Sequence, residues 1–312
     1  MEPKVYLSNI ASFVGETSEL SLYPELVGKP ELQQTLYDEG FKYYSATDDS
    51  HAEMSMKCIY QVMKTTGLDP TDIDLIIYSS STVEATDDDE FEDYLVDNGF
   101  PNVYTAGMRG AACGSLVQTI EFAMKYLRSS DDFRNAIVIA TNKCPSDWVR
   151  NAYNSTLLLS DGATACLLSK DIPGLEVVDC EYKYDRRVKR LSHEGTPEGN
   201  FQSMKIVAKQ ADSILERMFA AENINLSNVD QVITNSSGYS WQNICATILD
   251  YDLNKMSMDT LEDLAHIFSG EQLISLERYL SRSETPREEN GYIMLFFMSD
   301  NGVGATMLRR RN

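Results

Sequence analysis

Apolar residues recur three and four apart through HAEMSMKCIYQVMKTTGL (residues 51–68) and through SMKIVAKQADSILERMFAAENINL (residues 203–226), so the spacing predicts two amphipathic helices. The first closes at Gly67, a helix-stop residue. A short apolar strand follows each. TDIDLIIYSSST (71–82) and SNVDQVITNSSG (227–238) share an Asp, an apolar stretch and Ser-Ser, with Asp74 and Asp230 offset by 156. Each copy later carries a longer apolar run with a sharp exit, NAIVIATNKC from Asn135 and NGYIMLFFMSDNG from Asn290. Two copies of helix–strand–helix–strand predict two mixed α/β halves related by pseudo-symmetry. Between them STLLLSDGATACLLSKD (155–171) reads as strand–turn–strand about Asp161-Gly162-Ala163. Pro173-Gly174 then marks a boundary, giving halves 1–172 and 173–312. The acidic run TDDDEFED (86–93) reads as the solvated start of a helix.

A chain of 312 residues exceeds the ~250–300 at which single cores stop growing, in keeping with two fused halves. The formal charge of −21 speaks against general binding to nucleic acid or an anionic membrane, which need a basic face. No run approaches the ~18 apolar residues of a membrane span, and the opening MEPKVYLSNI has no signal-peptide pattern. The six cysteines are scattered and several lie in apolar runs, so reduced thiols and a cytoplasmic location are expected. No Cys-x-x-Cys occurs and the three histidines are dispersed, so no metal site is expected.

Cys113 stands in GMRGAACGSLVQTIEFAMKYLRSS (107–130), where Leu116, Ile120, Phe122, Ala123 and Leu127 fall at helical spacing. A turn of small residues would therefore deliver the thiol to a helix N-terminus, where unpaired N–H groups and the dipole favour a thiolate. Ala111, Ala112 and Gly114 would let a substrate approach closely. A small buried hydrophobe is the other reading of such a cysteine.

The succession GMRGAACGS, LSDGATACLLS, NVDQVITNSSG and MSDNGVGATMLRR resembles the thiolase superfamily, and within it β-ketoacyl-acyl-carrier-protein synthase III-like proteins, over essentially the whole chain. The resemblance implies a five-layered αβαβα fold of two pseudo-symmetric halves and a homodimer. It further implies that Cys113 accepts an acyl group as a thioester, from coenzyme A or an acyl-carrier protein, with no bound cofactor. The oxyanion would be held by the Cys113 N–H and that of Gly302 or Val303.

Two departures from the family pattern shape the functional expectation. Decarboxylating members place a His in the loop after the first strand of the second half; here that loop reads NSSGYSWQN, with Asn235, Ser236 or Ser237 at the position. Their Asn further on is replaced by His266, in AHIFSGEQL. Stabilising an enolate needs two donors, and one lost donor costs about 10²–10³ in rate. A single imidazole suits instead a general base that deprotonates an incoming nucleophile. The repeat offset carries Cys113 to near Ser269, so Cys113 and His266 occupy matching loops, each before a helix. Asp300, at the exit of the last apolar run, is expected to orient the imidazole; Glu271, five residues from His266, is the alternative.

By the same resemblance Trp148 and Arg150 line the pantetheine path together with Asn235 and Ser236, although packing also suits an aromatic beside a strand end. The basic cluster Arg186, Arg187, Lys189 and Arg190 would dock the acidic carrier, or else form a solvated loop. GFKYYSATDD lies where many members carry an Arg-bearing segment that holds coenzyme A, which favours a carrier-bound donor. His193, in a polar loop, and His51, beside a helix cap at Ser50, are expected to have no catalytic part. The overall expectation is an acyltransferase that moves an acyl unit from Cys113 to a hydroxyl, amine or thiol acceptor in specialised metabolism. Decarboxylative condensation and a non-catalytic partner subunit are the alternatives.

Overall fold

The computed structural model describes residues 3–82, 86–145, 149–152, 156–282, 291–299 and 301–310. Ten strands build its central sheet: β1 (Tyr6–Val14), β2 (Leu75–Ser79), β3 (Tyr104–Met108), β4 (Asn135–Asn142), β5 (Gly162–Ser169), β6 (Leu175–Tyr184), β7 (Val229–Ile233), β8 (Met256–Ser257), β9 (Tyr292–Ser299) and β10 (Gly302–Arg309). Their order is β8-β7-β9-β10-β6-β1-β5-β4-β2-β3. Within it the same pattern occurs twice. The set β1-β5-β4-β2-β3 and the set β6-β10-β9-β7-β8 each begin with two antiparallel pairings and end with two parallel ones. The sets meet through a short antiparallel contact of Tyr6 and Leu7 with Glu176 and Leu175.

The main helices follow the same duplication: α1 (His51–Thr66), α2 (Thr86–Asp97) and α3 (Ser115–Ser129) in the first set, and α5 (Pro197–Glu222), α6 (Tyr239–Leu249) and α7 (Glu271–Ser281) in the second. A short α4 (Arg186–His193) precedes α5. Alternation along the strands assigns the layers. On β4, Ile137 and Ile139 face α1 and α2, while Ala136, Val138 and Ala140 face α3. On β9, Tyr292, Met294, Phe296 and Met298 face α5 and α6, while Ile293, Leu295 and Phe297 face inward with α3 and α7. Helices α3 and α7 therefore lie between the two half-sheets, and the chain is an αβαβα sandwich. Strands buried on both faces favour apolar residues throughout, which is why 136–140 and 292–298 read as continuous runs.

Local signals account for the helix ends. Ser50 and Glu53 form a reciprocal capping box on α1, and Gly67 ends it at φ 71°. Thr196 caps α5 with Pro197 in its first turn, so that helix starts six residues before the apolar spacing becomes regular. In α3, Phe122 is half exposed; the buried stripe is Leu116, Val117, Ile120, Ala123, Met124 and Leu127.

Two local expectations change. Both strands expected within 156–171 form, but the turn lies earlier: Leu157–Leu158 pairs with Asn151–Ala152, and Leu159 bridges to His266, while Gly162 opens β5. The stretch around His193 is helical, because Asp185 caps Arg187 and Val188 anchors the turn in the core, leaving His193 exposed at its end. No helix of the described residues is long and apolar enough to cross a membrane.

Candidate active site

Cys113 sits in a single 3₁₀ turn, Ala112–Gly114, that runs directly into α3. His266 occupies the equivalent place before α7. Its backbone is gripped by the other half: the His266 N–H donates to the Leu158 carbonyl (3.0 Å), and the Ser160 N–H donates to the His266 carbonyl (2.9 Å). The residues immediately before the two side chains, Ala112 (φ 47°) and Ala265 (φ 54°), are both left-handed. For residues with a Cβ such conformations cost on the order of 1–3 kcal/mol each, and they persist where surrounding structure over-determines them.

These loops bring the two side chains together. His266 Nε2 lies 3.2 Å from Cys113 Sγ, and Nδ1 lies 2.8 Å from Glu271 Oε1. The imidazole and Glu271 are fully buried, whereas Cys113 keeps part of its surface accessible. Glu271 accepts two further bonds, from the Ser236 N–H at Oε1 (2.5 Å) and from the Ile267 N–H at Oε2 (2.6 Å). Three donors on one buried carboxylate satisfy it as an anion. Burial works against charge on His266, but the Glu271 carboxylate and the Cys113 sulfur outweigh it and raise the imidazole pKa to about 10. Elsewhere burial is the largest influence on the thiols: Cys58 and Cys166 are pushed up to about 12, and Cys180 and Cys245 are also raised. Among the described residues no group of three or more His, Cys, Asp or Glu could hold a metal ion.

The comparisons with known proteins follow this geometry. Residues 110–185, from the Cys113 turn to the end of β6, match the family described as 3-oxoacyl-[acyl-carrier-protein] synthase III. A curated relative, β-ketoacyl-[acyl-carrier-protein] synthase III 2 of Bacteroides thetaiotaomicron, is 28% identical over 133 residues, which span 42% of this chain and 39% of that protein. Among solved structures, ChlB3, described as an acyltransferase, superposes with a TM-score of 0.85 at 16% identity, covering 99% of this chain and 98% of its own. The synthase III of Aquifex aeolicus gives 0.79 at 15% identity, covering 98% and 100%. The chain has a thiolase-like fold, and its residues 110–185 are similar to the synthase III family.

Placed on this ketosynthase III-like fold, the remaining residues separate. Asp300 and Trp148 lie outside the described residues. Glu271 stands where Asp300 was expected, and with Cys113 on the opposite nitrogen both ring positions of His266 are taken. The Arg150 guanidinium is held by the scaffold: it makes two 2.8 Å bonds to the fully buried carboxylate of Asp161. Asp161 in turn accepts from the Cys144 N–H (2.7 Å) and the Thr47 N–H (3.1 Å), so Arg150 neutralises a buried anion behind the site. Ser236 serves Glu271 through its N–H and bonds Thr260 through its hydroxyl (2.7 Å). The Asn235 amide donates to Ser237 Oγ and accepts from Trp241 Nε1, which occupies it within its own loop. Gly302 and Val303 open β10, buried, and the Cys113 turn packs against β9 and β10. The clamp from Leu158 and Ser160 and the Ser236 amide had no sequence signal, being backbone groups brought in over long range.

Proposed function

We propose that the protein is an acyltransferase working through a thioester on Cys113. The reading is carried by one observation, the continuous chain from Cys113 Sγ through His266 to Glu271 at 3.2 and 2.8 Å. With Glu271 accepting at Nδ1, the imidazole presents Nε2 to the thiol and takes its proton. The sulfur attacks the carbonyl of a pantetheine thioester. The tetrahedral oxyanion is held by the Cys113 N–H and by that of Gly302 or Val303; on collapse the pantetheine sulfur leaves and takes the proton from Nε2. In the second half-reaction Nε2 accepts a proton from a hydroxyl, amine or thiol acceptor as it attacks the acyl group, and returns it to Cys113. The carboxylate behind His266 supports base catalysis, and the commitment of Asn235 and Ser236 to their own neighbours leaves the enolate donors of a condensing site unsupplied.

The donor is proposed to ride on an acyl-carrier protein. Arg186, Lys189 and Arg190 share a cavity of about 480 Å³ with Tyr184, His193 and Glu194, on a chain whose overall charge is −21. Homodimerisation is proposed through β3. This strand is the outer edge of the sheet, and its Tyr104 is 63% exposed although it packs edge-on against Phe133.

Intact-mass spectrometry tests the central claim. Incubation with acyl-coenzyme A or acyl-carrier protein should add one acyl unit to the wild type and none to Cys113→Ser. No addition from any donor would sink the acyltransferase reading, while carbon dioxide release from malonyl-carrier protein would favour condensation instead.

A further inference from the structure

The turn carrying Cys113 is tied from behind by side chains of the second half. Asn301, 3% exposed, donates from Nδ2 to the Gly110 carbonyl (2.8 Å), three residues before the thiol. Its Oδ1 accepts from the Tyr182 hydroxyl (2.7 Å) and from Ser299 Oγ (2.6 Å). The Tyr182 ring is wedged between the two halves at points where only glycine leaves room. A Cβ on Gly304 would stand 2.8 Å from Tyr182 Cδ2, one on Gly302 would stand 2.8 Å from the hydroxyl, and one on Gly114 would run into the ring edge. None of these three glycines has a left-handed φ, so close approach, and not turn conformation, accounts for them.

We infer that Tyr182 and Asn301 are positioning residues that hold the Cys113 turn, with left-handed Gly110 (φ 93°) and Ala112 (φ 47°), so that its sulfur stays on His266. Within the turn the Gly114 N–H donates to the Ala111 carbonyl (2.9 Å), and the two side chains add support from outside it. The bond to the Gly110 carbonyl fixes its entry, and the Tyr182 ring beneath Gly114 fixes its exit. Both side chains act through the backbone on the distance between Sγ and Nε2, and the inference rests on the reading of Cys113 as the acyl acceptor.

Two variants test it, Tyr182→Phe, which keeps the ring and removes the hydroxyl, and Asn301→Leu, which keeps the volume and removes all three bonds. Thermal unfolding first establishes that each folds; if Asn301→Leu does not, Tyr182→Phe carries the test. Cys113 is then alkylated with iodoacetamide across a pH series and, separately, acylated with acetyl- and octanoyl-coenzyme A. The expected result is an alkylation pH profile displaced toward that of His266→Ala, with acylation slower by roughly 10²-fold, the penalty of about 1 Å of misplacement. Variants with the wild-type profile and wild-type acylation overturn the inference, as does lowered thermal stability with an unchanged profile, which would mark a merely structural role. A displaced profile in a protein whose wild type accepts no acyl group from either thioester retains the clamp and removes the acyl-acceptor reading.

Discussion

Glu271 is a buried carboxylate with three donors around it, and one of those donors is the proposed base. Replacing it by Gln keeps the volume but removes the charge that faces the ring and puts an NH₂ in place of one oxygen, against either the Ile267 N–H or the Ser236 N–H together with Nδ1. Glu271→Gln should lower the rate of acyl transfer by roughly 10²–10⁴-fold with little change in KM for the donor, as measured by steady-state kinetics. The same residue pair sets a pH dependence. The folded pKa of His266 is raised from 6.5 to about 10, so the charged pair stabilises the fold fully below pH 6.5, and that contribution fades as pH rises through about 10. The stability difference between wild type and His266→Gln, from chemical denaturation, should therefore shrink on the alkaline side by up to a few kcal/mol. A difference that grows with pH would mean the imidazole is buried neutral. Cys113 and His266 were singled out by the family resemblance, with support from a small-residue turn and a loop at the repeat offset that each precede a helix. Glu271 ranked below Asp300 because spacing along a chain does not show which carboxylate a helix start turns toward a ring.

At the level of elements, strands with alternating or continuous apolar residues and helices with clear caps were readable, since their signals lie within a few residues. The segment around Asp161 was not. Its apolar runs read as two strands about a turn at Asp161-Gly162-Ala163, but Gly162 and Ala163 belong to β5, Ser160 and Leu158 are committed to His266 and the Asp161 carboxylate to Arg150, contacts that local sequence does not encode. This reassigns Arg150 from substrate to scaffold. Arg150→Ala leaves the Asp161 charge buried without its partner and should destabilise the fold by about 3–5 kcal/mol in denaturant unfolding. KM for coenzyme A thioesters should stay near wild type, whereas a large KM rise with unchanged stability would return Arg150 to the substrate path.

Over the whole molecule, the duplicated strand order places α3 and α7 back to back between two half-sheets, and Cys113 and His266 meet where their N-terminal ends converge. The charge distribution adds a second feature at this scale, a basic α4 on an acidic body. Lys189→Glu with Arg190→Glu should raise KM for a carrier-bound donor about tenfold or more at low salt, less at high salt, and leave KM for the coenzyme A donor unchanged. Equal effects on both donors would move carrier recognition elsewhere.

His266 belongs to one repeat yet hangs from the main chain of the other, through Leu158 and Ser160. Neither repeat thus holds the whole site: one carries the sulfur and the hook, the other the imidazole. Splitting the polypeptide near residue 173 and mixing the pieces should regenerate reactivity only as fast as the fragments dock, making turnover a direct clock for their assembly.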